Sequence, residues 1–69
     1  MRIFLPAPIS QVDVKNTIGL LRASKLLVES GAVVLDGVEV LAGVIVMQRD
    51  NDVREALDVL ARAGISART

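Results

Sequence analysis

The sequence predicts an α+β domain of order β-α-β-β-α, with two helices on one face of a small antiparallel sheet. Three observations lead there. Apolar residues switch between a strand-like period and a helical one along the chain. A valine-rich stretch from Ala32 to Gln48 is broken by two glycine turns, Asp36-Gly37 and Ala42-Gly43. Two amphipathic segments, each followed by a glycine, are enough to cover one sheet face and not two.

Ile3-Phe4-Leu5 is a short apolar run halted by Pro6-Ala7-Pro8. Proline lacks a ladder donor and biases its predecessor toward extended geometry, so the run reads as a strand with an irregular exit. Residues 9–15 alternate Ile9, Gln11 and Asp13 against Ser10, Val12 and Val14, and read either as a second extended piece or, preferably, as a loop into the next element. From Asn16 or Thr17 to about Ser30 the period is helical. Leu20, Leu21, Ser24, Leu27 and Val28 share one face, while Lys15, Arg22, Lys25 and Glu29 share the other. Asn16 and Thr17 are suitable N-caps, and Gly31 stands where a left-handed C-cap would close the helix. Ile18 falls on the polar stripe, so either it packs against a partner or it belongs to a non-helical entry.

Ala32 to Gln48 reads as β structure. Either Asp36-Gly37 makes a tight hairpin, or one long strand is bulged there and turns at Ala42-Gly43. The near-continuous apolar run through Val44-Ile45-Val46-Met47 suits a strand buried on both faces. After Arg49, any of Asp50, Asn51 or Asp52 can cap a second helix, and Asp52 with Glu55 resembles a capping box. Val53, Leu57 and Leu60 recur at helical spacing with Ala56 and Ala61 beside them, and Gly64 ends the pattern. Ile65-Ser66-Ala67 offers a short last strand. The topology this order implies is the split β-α-β, ferredoxin-like arrangement, one domain over residues 1–69.

Composition bounds the function. A 69-residue chain buries only roughly 60% of the surface its unfolded form exposes, and no cysteine can staple it. Self-association is the expected supplement, and a homodimer the expected state. The chain has no histidine, cysteine, tryptophan or tyrosine, and its only aromatic residue is Phe4. The commonest general base, the thiol nucleophile and the usual zinc ligands are therefore missing. Eight basic residues balance eight acidic ones, which disfavours nucleic acid and anionic membranes. Lys15, Lys25, Asp13 and the hydroxyl residues show no nucleophile-base spacing, so no enzyme, catalytic residue or cofactor is expected. Apolar runs are too short to span a bilayer, and Met1-Arg2-Ile3-Phe4-Leu5 is too short for a signal-peptide core. The expected location is the cytoplasm.

Asn16-Thr17-Ile18-Gly19-Leu20-Leu21, followed by Leu26-Leu27-Val28-Glu29-Ser30-Gly31-Ala32-Val33, resembles the helical start of ACT domains, which bind amino acids and regulate metabolic enzymes. Ala56-Leu57 through Leu60, with Ala63-Gly64-Ile65, is similar to that family's second helix. Here Asn16 stands at the family's acidic position and Ile18 at its proline. The resemblance implies a regulatory module, dimeric, holding an amino acid or another small carboxylate at Asn16, Thr17, Ile18, Gly19 and Leu20. Free N–H groups at a helix start would suit such an anion, and Gly19 would let a ligand or another backbone come close. A partner enzyme is a further expected associate.

Two other readings stand beside it. One is a structural or protein-interaction module that docks through an exposed sheet face or edge. The other follows from Ala23 through Val40, which resembles the helix-strand-turn-strand core of S4-type RNA-binding modules. Phosphate contacts would be few, because Glu29, Asp36, Glu39, Asp50, Asp52, Glu55 and Asp58 outnumber Arg49 and Arg54. The acidic set Asp50, Asp52, Glu55 and Asp58 could attract a hard cation, but acids at a helix start are ordinary dipole partners, and no metal is expected.

Overall fold

The computed structural model describes residues 1–35, 37–38 and 40–69; Asp36 and Glu39 lie outside the described residues. The elements are β1 (Arg2–Leu5), α1 (Gln11–Ala23), β2 (Val28–Leu35), β3 (Leu41–Met47) and α2 (Asp50–Arg62). β3 lies between the other two strands and is antiparallel to both. β1 and β2 therefore run parallel with β3 inserted between them, which is the split β-α-β expected from the sequence. The fold class is α+β in the order β-α-β-β-α.

Both helices pack on one face. Ile3 and Leu5 of β1 and Ile45 and Met47 of β3 meet Val14 and Leu21 of α1 and Ala56 and Leu60 of α2 in one buried cluster. Each such fully buried aliphatic side chain contributes about 1.5–3 kcal/mol relative to exposure. Alternation then puts Phe4, Val44 and Val46 on the opposite face, where all three are half-buried. The continuous apolar run in β3 is thus covered on one side only, which corrects the expectation of a strand buried on both faces.

α1 starts five residues before the expected Asn16. Ser10 is its N-cap, accepting from the Asp13 backbone N–H at 3.2 Å, while the Asp13 carboxylate accepts from the Ser10 N–H at 3.3 Å. This reciprocal capping box converts residues 9–15 from the expected loop into a helix start. The helix also ends early. Lys25 adopts a left-handed φ of 63°, the Leu26 N–H donates to the Leu21 carbonyl, and the Lys25 N–H donates to the Arg22 carbonyl. These two bonds make a Schellman motif with lysine at the position glycine usually fills. Leu26 and Val28, read from the sequence as helical, are buried at the entry to β2.

Gly31 lies inside β2 and not at a helix end. A Cβ there would come within 2.5 Å of Ile18 Cδ1 and 3.0 Å of Ile45 Cδ1 and Val14 Cγ1, so its lack of a side chain lets α1 settle close to the sheet. Leu35 pairs with Leu41, so residues 36–40 connect the central hairpin. Gly37 has φ +74° in that connection, whereas Ala42 and Gly43 are paired within β3 and make no turn. The expected two-residue turn at Asp36-Gly37 falls partly on Asp36, outside the described residues.

α2 keeps its expected extent, with Gly64 in a left-handed conformation and the Ile65 N–H donating to the Leu60 carbonyl. Its N-cap is Arg49, which makes no side-chain cap, and not Asp50, Asn51 or Asp52. Beyond α2 the chain returns to β1. Phe4 and Arg68 exchange backbone hydrogen bonds of 2.6 and 3.0 Å, a single bridge where the sequence suggested a short last strand.

Candidate functional site

The five residues Asn16, Thr17, Ile18, Gly19 and Leu20 lie within α1 and do not open it. Their amides are internal to the helix, and the true N-terminus is already occupied by the Ser10 hydroxyl and the Asp13 carboxylate. The free N–H groups that would attract a carboxylate are therefore not at Asn16–Gly19. Nor does the structure bring the five together. Thr17 is buried, its hydroxyl donating to the Asp13 carbonyl at 2.8 Å. Asn16 and Thr17 border a small cleft with Pro6, Pro8 and Ile65. Leu20 packs against the core. Of the five, Ile18 and Gly19 alone reach a groove of about 820 Å³ between α1 and the start of β2.

That groove runs beside a free sheet edge. Antiparallel ladders alternate, each residue directing its N–H and C=O to one neighbour or the other. The Met47 N–H donates to Met1 and the Leu41 carbonyl accepts from Ile9, so the odd-numbered residues of β3 are directed toward β1. The Gln48 N–H donates to Leu27, so the even-numbered residues are directed toward β2. Through the pairs Ser30–Val46, Ala32–Val44 and Val34–Ala42, it follows that Ser30, Ala32 and Val34 bond to β3. Gly31, Val33 and Leu35 then direct their backbone groups outward, where no further strand among the described residues pairs with them.

Edge protection along β2 is confined to its first residues. The strand has eight residues, more than either other strand, and Val28–Leu35 holds no proline and no lysine. Glu29, the one charged residue, sits at the irregularity between Val28 and Ser30.

The wall opposite this edge is one side of α1. Gln11, Lys15, Ile18, Gly19 and Arg22 follow one another at helical spacing along the groove. Among the described residues the ion pair is Asp58–Arg62, so neither Lys15 nor Arg22 has an acidic partner within ion-pair distance there. Gly19 is instructive. A Cβ at this position would meet nothing within 4 Å, so packing does not require glycine, although glycine in a helix interior costs about 1 kcal/mol relative to alanine. Its effect is to keep the groove wall low.

The acidic residues of α2 do not converge. Asp52 accepts from the Leu27 N–H at 3.5 Å, Asp58 pairs with Arg62, and no group of three metal-ligating side chains forms among the described residues. No helix among the described residues is long and apolar enough to cross a membrane.

The sequence suggests docking through an exposed sheet face or edge but does not place that edge on β2, because Gly31 reads as a helix end and hides the strand on which the groove depends. No protein-family model, curated protein or solved structure matches the chain.

Proposed function

We propose that this domain is a protein-interaction module that accepts an extended segment along the free edge of β2. The supporting observation is the row of outward backbone groups at Gly31, Val33 and Leu35, beyond the irregularity at Glu29, on a long edge with no proline or lysine. An added strand satisfies those groups with main-chain hydrogen bonds, and its alternate side chains reach the α1 groove and the apolar face around Val34 and Val44. The regulatory small-molecule reading rested on a helix start at Asn16, and it loses that support. We keep the cytoplasm as the working compartment, which suits a chain without cysteine.

The test uses Val33→Pro. Proline at an outward position removes an edge donor without touching the β2–β3 ladder. Random extended decapeptides panned against the wild type should yield binders that slow amide exchange at Gly31, Val33 and Leu35. Val33→Pro should retain its circular-dichroism spectrum and enrich none of them. Equal enrichment by both proteins, or protection at other amides, sinks the docking edge.

A further inference from the structure

We infer that the segment taken up beside β2 is acidic, carrying carboxylates on the side chains that point toward α1. This inference rests on the docking reading above and names the chemistry of its partner. A strand paired with Gly31, Val33 and Leu35 would project every second side chain into the groove, where Lys15 and Arg22 stand without acidic partners among the described residues. Seven residues apart on α1, these two cations are separated by about 10.5 Å along the helix axis. Same-side residues of an extended strand recur about every 6.6 Å, so carboxylates four positions apart, about 13 Å, bracket the pair. Arginine and lysine stems allow the remaining adjustment. Gly19 lies between the two cations in sequence and adds no side chain to the wall, leaving room for a second backbone.

Charge also argues against a second copy of this chain as the occupant. Two-fold pairing of β2 with its own copy would place two α1 helices side by side. Lys15 and Arg22 of one copy would then face Arg22 and Lys15 of the other, setting four cations against one another. An acidic extended segment of another protein meets the same groove with opposite charge.

The experiment compares three fluorescein-labelled decapeptides, alternating valine with glutamate, glutamine or lysine, by anisotropy against the full chain. The glutamate peptide should bind at least tenfold more tightly than the glutamine peptide, and raised salt should shrink that margin. In the double variant Lys15→Gln/Arg22→Gln the margin should vanish while the glutamine peptide binds as before. Gly19→Gln, which fills the groove from a position with free space, should weaken both. Equal affinity of the glutamate and glutamine peptides for the wild type, lost in Val33→Pro, overturns the acidic partner and leaves the docking edge standing. A wild-type dimer that binds no peptide and becomes monomeric with Val33→Pro makes the occupant a second copy, and the inference fails. A monomer that binds none of the peptides overturns both readings.

Discussion

The two edges of the sheet are built in opposite ways. The β1 edge is short, four residues, followed at once by Pro6 and Pro8, and its outward backbone at Phe4 is taken by Arg68. The β2 edge is twice as long and free, and Leu35 at its end is 66% exposed. Sheets that are not meant to associate blunt both edges. Here one is sealed by the chain itself and the other is left open beside a groove with two cations. The contrast teaches that openness is local to β2, so an account of function belongs on that side.

The largest test of this contrast separates neighbouring positions on β2. Ala32→Pro removes a donor that serves the β2–β3 ladder and should cost about 2–3 kcal/mol in urea unfolding. Val33→Pro, directed outward, should cost about 1 kcal/mol, chiefly from lost packing. Equal losses would mean that the inward and outward assignments are wrong.

The sealed edge gives the next effect. Arg68→Pro deletes the N–H that donates to the Phe4 carbonyl and should cost about 1 kcal/mol. Amide exchange would check it, with Phe4 losing protection and Ala32 keeping it. Protection at Phe4 that survives the change would mean that its own bond to the residue-68 carbonyl, which proline keeps, holds the bridge alone.

The smallest effect has the opposite sign. Gly19→Ala should stabilise the domain by about 0.5–1 kcal/mol, because helix propensity rises and the new methyl meets no neighbour. A thermal melt that falls instead would show that glycine at this position serves the fold, and would remove it from the argument about the groove.

What could be read in advance depended on how each element announces itself. α2 was legible because its apolar spacing, its acidic first turn and the stop at Gly64 agree. α1 was misplaced at both ends for chemical reasons. Its start is a Ser10–Asp13 box set in residues whose alternation resembled extended chain, and its stop is Lys25, a residue type that gives no warning of a left-handed turn. The periodicity of Leu20, Leu21, Leu27 and Val28 therefore ran on through a turn into β2, and Gly31 was taken for the stop. Ile18 was the one residue that resisted that helix, since it fell on the polar stripe. In the structure it lies over Gly31 and lines the groove. All five residues of the candidate site follow from a helix start placed at Asn16, whereas α1 begins at Gln11; of the five, Ile18 and Gly19 line the groove. The groove's other wall is a strand edge, and single-sequence reading does not reveal which strand ends at the margin of a sheet.

The Phe4–Arg68 bridge has a kinetic consequence. Its partners stand 64 positions apart (68 minus 4), so it closes a long loop. Loop-closure entropy places such pairings late in folding, after the hairpin of β2 and β3 has formed. Until it closes, β1 is as bare as β2, and the folding chain presents two adhesive margins instead of one. Refolding yield should therefore fall with protein concentration more steeply in Arg68→Pro than in the wild type, because the seal on β1 protects the chain during folding as well as after it.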